Sequence, residues 1–196
     1  MISLVHRTVF VHIPKCGGQS VETAFLEDLG LDWDHHRYLL ALAPGIRGHN
    51  QLGKPLAHLS AAEYVRQKFI PKALFQSFFT FATVRNPFAR AESSYYFLRQ
   101  DKQKSFAAFV RGDGEQNNRE WLHLERQIDF LFDADGRQLV NEIVRLEELS
   151  VRWPEIKART GLSTELPRVN ARKRNVRVEW TEENVAVVLE RFGADF

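Results

Sequence analysis

The chain has one cysteine in 196 residues, which excludes a disulfide framework and a cysteine-built metal site. Long apolar runs are also missing. The longest, near Phe78 to Val84, falls far short of the ~20 residues a membrane-crossing helix needs. The first residues, Met1 to Val11, carry one Arg and a short apolar run, with no extended apolar core and no small-residue cleavage site. No signal peptide is therefore expected, and the expected compartment is the cytoplasm. Charge excess is small: 27 Lys and Arg against 25 Asp and Glu leave +2, too little to point to nucleic acid as a partner. What remains is a chain with 44% hydrophobic residues and fifteen Phe, enough for an aromatic-rich core. At roughly 150 residues per domain, one domain spanning 1–196 is expected, with no internal repeat.

Thr8 to Ile13 is β-branched and aromatic and is closed by Pro14, Gly17 and Gly18; Val21, Ala24, Phe25 and Leu29 then recur at helical spacing as far as Gly30. Residues 8–30 thus read as strand, glycine loop, helix. Ser60 and Glu63 form a capping-box pattern ahead of a short helix that ends before Pro71. A second buried strand is expected over Phe79 to Val84, followed by a helix over 88–98 with Pro87 in its first turn. Residues 104–111 and 119–132 read as helices, Leu139 to Arg145 as a third strand, and 147–159 as a helix stopping near Gly161. A basic irregular stretch follows from Arg168 to Arg177. A last helix starts at Thr181 and runs to Phe192. Strands alternating with helices predict an α/β three-layer sandwich around a central parallel sheet.

Two segments carry chemistry. The first is His12-Ile13-Pro14-Lys15-Cys16-Gly17-Gly18-Gln19-Ser20. A strand, a glycine turn and a helix start make an anion site, because the first helical N–H groups lack internal partners and the dipole is positive there. The glycines allow close backbone approach, Lys15 adds charge and Ser20 a hydroxyl. Lys15 precedes both glycines, so this is neither the G-x-x-x-x-G-K-[ST] loop nor a G-x-G-x-x-G fingerprint. A thiol beside Lys15 at a helix start is expected to have a lowered pKa, which leaves room for a redox-sensitive Cys16, but a passive small residue is the favoured reading. The second segment is Val84-Arg85-Asn86-Pro87-Phe88-Ala89-Arg90-Ala91-Glu92-Ser93. Here Arg85 at a strand end and Ser93 on the following helix are placed to approach one phosphate, the first with a fork of donors and the second with a hydroxyl. Arg90 is free to join that site or to pair with an acid elsewhere.

HIPKCGGQS together with VRNPFARAESSYY resembles the 3′-phosphoadenylyl sulfate (PAPS) dependent sulfotransferases, in the branch of bacterial and carbohydrate enzymes, whose members carry HIPKTGGTS-like and VRNPxxRxxSxY-like segments. Arg145-Leu146-Glu147-Glu148-Leu149 followed by Leu166-Pro167-Arg168-Val169-Asn170 is similar to a third family segment. The resemblance implies a P-loop-like fold and transfer of a sulfuryl group from PAPS to a hydroxyl acceptor, a carbohydrate by the branch resembled. Adenosine 3′,5′-bisphosphate would be the product, and no metal would be needed. It implies that Pro14, Lys15, Cys16, Gly17, Gly18, Gln19 and Ser20 hold the 5′-phosphosulfate and that Arg85 and Ser93 hold the 3′-phosphate. Arg172, Lys173 and Arg174 would close over the cofactor. Cys16 and Gln19 stand where relatives commonly have Thr.

Transfer to a hydroxyl also needs a base, and His suits that role near neutral pH. His58-Leu59-Ser60-Ala61-Ala62-Glu63-Tyr64 resembles the HxSxxxF/Y segment of glycan O-sulfotransferases, whose His is the base. His58 is therefore the first choice and His49 the second, while Lys15 is suited to the charge on the departing phosphate and His12 to orienting the loop. The adjacent pair His35-His36 does not match a usual zinc spacing. Acceptor walls are expected over about 31–78 and 99–135, with Trp33, Tyr38 and Trp121 as candidate stacking residues. Two other readings stay open: a P-loop-like nucleotide kinase or NTPase with a divergent loop, and a non-catalytic nucleotide-binding relative. The oligomeric state is left open.

Overall fold

Strand formation follows the apolar pattern. The computed structural model describes residues 1–40, 56–114, 118–169 and 177–196. Its sheet has four strands in spatial order β1 (Ile2–Ser3), β2 (Thr8–Val11), β3 (Phe79–Val84) and β4 (Glu142–Arg145). β2, β3 and β4 are parallel, in register Val11 with Ala82 and Val84 with Arg145. The short β1 pairs antiparallel to β2. The sheet is therefore mostly parallel, and its antiparallel edge was not expected from the sequence.

Side-chain alternation along the strands divides the core between the two faces. Val9, Val11 and Ala82 face one layer, with Tyr64 of α2 (Ala61–Arg66), Phe75 of α3 (Lys72–Ser77) and Phe130 of the later α7 (Ile128–Leu131). Phe10, Phe81 and Val144 face the other, with Val21 and Phe25 of α1 (Gly18–Asp28) and Trp153 and Ile156 of α8 (Leu149–Thr160). A third cluster joins α4 (Pro87–Phe97), α5 (Phe106–Arg111) and α9 (Glu182–Phe192) through Tyr95, Phe109, Val188 and Phe192. The capping box is formed: the Ser60 hydroxyl accepts from the Glu63 N–H, and the Glu63 carboxylate accepts from the Ser60 N–H. Asn86 and Thr181 cap α4 and α9 with their side chains.

Two elements depart from the sequence reading. The third strand starts at Glu142 rather than Leu139. The Asn141 side-chain oxygen accepts from the Thr80 N–H at 2.7 Å, occupying the place of a ladder carbonyl. The helix expected over 119–132 is split into α6 (Asn118–Leu124) and α7. Side chains take over the backbone groups at the break. Leu124 and Glu125 carbonyls accept from Arg191 and Arg90, and the Gln127 and Ile128 N–H groups donate to Asp195.

At the opposite end of the sheet from the candidate site, Asp28 accepts from the Ser163 N–H (2.8 Å) and hydroxyl (2.6 Å), the Thr164 N–H and His6 Nε2. These hydrogen bonds, Ser163 and His6 foremost, hold its carboxyl far below the ordinary range. A depressed carboxylate stabilises the fold above its unfolded pKa of about 3.9 and loses that contribution as pH falls below it. Asp28→Asn is expected to cost about 1–3 kcal/mol at pH 7, with the gap to the parent closing below pH 3.9 in urea titrations.

Candidate active site

Three loops leave the C-terminal ends of the parallel strands side by side, the usual place for a ligand in such a sheet. They are residues 12–17 after β2, Arg85-Asn86 after β3, and the 3-10 turn Leu146–Glu148 after β4. The three sequence segments singled out above thus meet at one edge.

The backbone of the first loop is pulled inward at three consecutive carbonyls. Pro14 O accepts from Arg90 Nε at 3.1 Å, Lys15 O from Arg85 Nη1 at 3.3 Å, and Cys16 O from the Thr83 hydroxyl at 2.7 Å. A trans peptide carries its N–H opposite its carbonyl, so the Gly17 N–H faces away from Thr83. Lys15 (φ 67°) and Gly17 (φ 80°) are both left-handed, which wraps the chain into the start of α1 at Gly18. The Gly17 N–H is thereby turned outward beside the N-terminus of α1, an arrangement suited to an anion. The glycines are required for contact as well as conformation. A Cβ on Gly17 would collide with Leu146 Cδ1, and one on Gly18 with the His12 ring. Gly18→Ala is therefore expected to displace His12 and to destabilise the fold by about 1–3 kcal/mol, read in urea titrations.

The Lys15 ammonium lies 3.8 Å from the centre of the Phe97 ring, which is 44% exposed. Arg85 is half-buried and reaches the loop through Lys15 O. Ser93 is half-buried on α4, and among the described residues no hydrogen bond joins it to Arg85. The Ser20 hydroxyl accepts from the Val169 N–H at 3.2 Å, which leaves its own proton to donate. Arg90, whose role the sequence left undecided, is buried and holds main-chain carbonyls at Pro14 and Glu125 instead of an acid.

Cys16 requires a correction. Its thiol is fully buried, and burial pushes its pKa up to about 12 against the opposing pull of Arg90 and Arg85. It donates to Gln127 Oε1 at 3.2 Å. The expected lowering of its pKa is thus reversed by burial, and the thiol is an inert packing group, in line with the favoured reading of a passive small residue. Gln127 itself was not found from the sequence. Its Oε1 also accepts from the Arg85 N–H (2.8 Å), and its Nε2 donates to Arg85 O (2.9 Å), so one buried amide ties the two segments together. Leu146 under Gly17, and Glu147 accepting from the Asn86 N–H, attach the third segment.

On the other side of the loop lie His12, Glu22 and His58. His12 Nδ1 is 3.0 Å from Glu22 Oε1, and the His12 and His58 rings meet edge to face at 4.6 Å. His58 ends the 3-10 turn Leu56–His58, two residues before the Ser60 cap. Its Nδ1 is 2.8 Å from His12 O. A carbonyl only accepts, so Nδ1 carries the proton and the neutral ring keeps its lone pair on Nε2. Burial, aided by the neighbouring His12, pushes the His58 pKa down to about 3.

His49, Asn170, Arg172, Lys173 and Arg174, and the side chain of Tyr38, lie outside the described residues. Trp33 and Trp121 are 36% and 46% exposed. His35 pairs with Asp32 at 2.7 Å, and among the described residues no group of three or more His, Cys, Asp or Glu is arranged to hold a metal. No helix among them is long and apolar enough to cross a membrane.

A mostly parallel sheet with helices on both faces, with a glycine loop, Lys15 and Arg85 at the C-terminal ends of its strands, defines an α/β protein. The family model described as "Sulfotransferase family" matches residues 1–190, and the chain belongs to that family. Neither a curated protein nor a solved structure matches it. Membership makes the chain a transferase of sulfuryl groups acting on a hydroxyl acceptor.

Proposed function

We propose that the donor is PAPS and that the acceptor hydroxyl belongs to a carbohydrate. The observation that carries the donor reading is the contact of Lys15 O with Arg85 Nη1, which sets the anion loop beside the Arg85-to-Ser93 segment at one sheet edge. A molecule with a phosphosulfate at one end and a second phosphate at the other matches that pairing. In this reading the loop Pro14 to Ser20 cradles the 5′-phosphosulfate. Arg85 and Ser93 hold the 3′-phosphate, and the Arg172-Lys173-Arg174 stretch closes over it. Carbohydrate follows from the branch that the sequence resembles.

Transfer forms a bond from the acceptor oxygen to sulfur and breaks the bond from sulfur to the 5′-phosphate oxygen. The acceptor proton goes to His58 Nε2, the nitrogen left unprotonated by the Nδ1 contact with His12 O. Lys15 neutralises the charge that collects on the departing phosphate. A neutral His58 is a weak base in the free protein, and a polyanionic donor bound alongside raises its proton affinity.

The test is transfer of ³⁵S-labelled sulfuryl from PAPS to a panel of glycans and phenols. Label in a glycan product supports the reading. Label in phenols alone overturns the carbohydrate assignment. Donor binding with no labelled product from any acceptor favours the non-catalytic reading.

A further inference from the structure

Glu22 is a carboxylate where the helix pattern calls for an apolar side chain. It sits one turn into α1 among Val21, Ala24, Phe25 and Leu26, all buried, and is itself only 3% exposed. Such a group is costly unless paired. Four titratable groups on other elements act on it. These are His12 from the end of β2, His58 from the 3-10 turn, the amino group at Met1 beside β1, and Tyr64 from α2, whose hydroxyl contacts that amino group. The amino group is pushed down to about 6 by burial, with Glu22 opposing. The carboxyl of Glu22 is held below its ordinary range. Burial raises it, but His12, by charge and hydrogen bond, the amino group and His58 together outweigh burial.

The arrangement has a direction. Glu22 fixes the His12 ring through Nδ1 at 3.0 Å, that ring packs edge to face on the His58 ring at 4.6 Å, and the separate contact of His58 Nδ1 with the His12 main-chain carbonyl at 2.8 Å leaves His58 Nε2 as the proton acceptor. We propose that Glu22 is a positioning residue for proton transfer, which orients His58 through His12 and supplies the counter-charge for the imidazolium formed when His58 takes the acceptor proton. The inference rests on the reading of His58 as the base. It adds a role for a residue of α1 that lies beneath the phosphate loop instead of in it. The proton balance is unchanged: the acceptor proton moves to His58 Nε2, and the Glu22 carboxylate stays ionised throughout. Removing its charge leaves the imidazolium with the His12 carbonyl and the bound donor alone, which makes His58 a weaker base.

The experiment compares wild type, Glu22→Gln and Glu22→Asp by steady-state kinetics from pH 5 to 9, with long-range ¹H–¹⁵N NMR titration of His12 and His58 in the full chain carried down to about pH 3, where the buried His58 takes its proton. Glu22→Gln is expected to lower kcat about tenfold to a hundredfold while KM for PAPS stays within about twofold, since the donor-binding loop keeps its ligands. The acidic limb of its kcat profile is expected to move to lower pH, and the His58 titration to move the same way. Glu22→Asp, which keeps the charge, is expected to hold the limb near its wild-type position. A uniform loss of kcat with neither the limb nor the His58 titration moved would mean a packing role and overturn the proposal, as would an unchanged kcat. The reading of His58 as base fails separately, through full activity in His58→Ala. Where wild type transfers no label, the NMR titration alone decides: an unmoved His58 in Glu22→Gln overturns the coupling.

Discussion

Lys15→Gly is expected to cut sulfuryl transfer about 10²–10³-fold without unfolding the protein. The choice of glycine follows from the backbone. Lys15 has φ 67°, a conformation that costs an ordinary residue energy and a glycine little. Removing the side chain also forfeits the contact with Phe97 and adds freedom to the unfolded chain. These terms oppose one another, so stability is expected to stay within about 1 kcal/mol of the parent. Lys15→Ala would mix the loss of charge with backbone strain, whereas Lys15→Gly isolates the charge. Its deficit is expected mainly in kcat, because the ammonium matters most when the phosphate oxygen takes up charge. Single-turnover kinetics with saturating PAPS would measure this. Near-wild-type kcat in a folded variant would remove Lys15 from the transition state.

His58→Ala is expected to lower kcat about 10²–10⁴-fold with little change in donor affinity, since its ring points to the His12 side of the loop and its Nδ1 is committed to a carbonyl. The depressed pKa adds a second signature. A folded-state pKa of about 3 against about 6.5 unfolded means the unfolded chain binds a proton that the folded chain does not. This contribution is whole above about pH 6.5 and is lost as pH falls toward 3, at up to about 1.4 kcal/mol per pH unit. His58→Gln lacks the titrating group and is expected to show a shallower loss of stability across that window in urea titrations at pH 7, 6 and 5. Parallel slopes for parent and variant would mean that His58 is not held neutral by burial.

Local chemistry made much of this molecule readable from its sequence. Ser60 and Glu63 three residues apart gave the start of α2, Pro87 behind Asn86 the start of α4, and Thr181 the start of α9, because caps are contacts within one turn. The strand at Phe79–Val84 was legible because burial on both faces favours an uncharged run of aromatic and β-branched side chains. The meeting of HIPKCGGQS and VRNPFARAESS was an expectation from resemblance, and the Lys15–Arg85 contact joins them in space.

What stayed illegible depends on partners distant in the chain. The break at 125–127 is made by Arg90, Arg191 and Asp195, and no feature of 119–132 announces it. Gln127 looks like any polar helical residue until its amide is found bridging Arg85 and Cys16. The thiol was misjudged for a related reason. Charge near Cys16 was visible in the sequence, but the burial that outweighs it was not. Glu22 had no signal beyond a carboxylate on an apolar helix face, and only the His12 ring gives it a partner.

If the Lys15 loop and Arg85 form a PAPS site, that site must distinguish a ligand with a 3′-phosphate from one without it. Calorimetry of the full chain with adenosine 3′,5′-bisphosphate and with adenosine 5′-monophosphate tests it most directly, because the two ligands differ only in the 3′-phosphate assigned to Arg85 and Ser93. The bisphosphate is expected to bind at least tenfold more tightly, and Arg85→Ala is expected to erase the difference. Equal affinity for the two ligands, or no binding of either at millimolar concentration, would contradict the reading as a PAPS site.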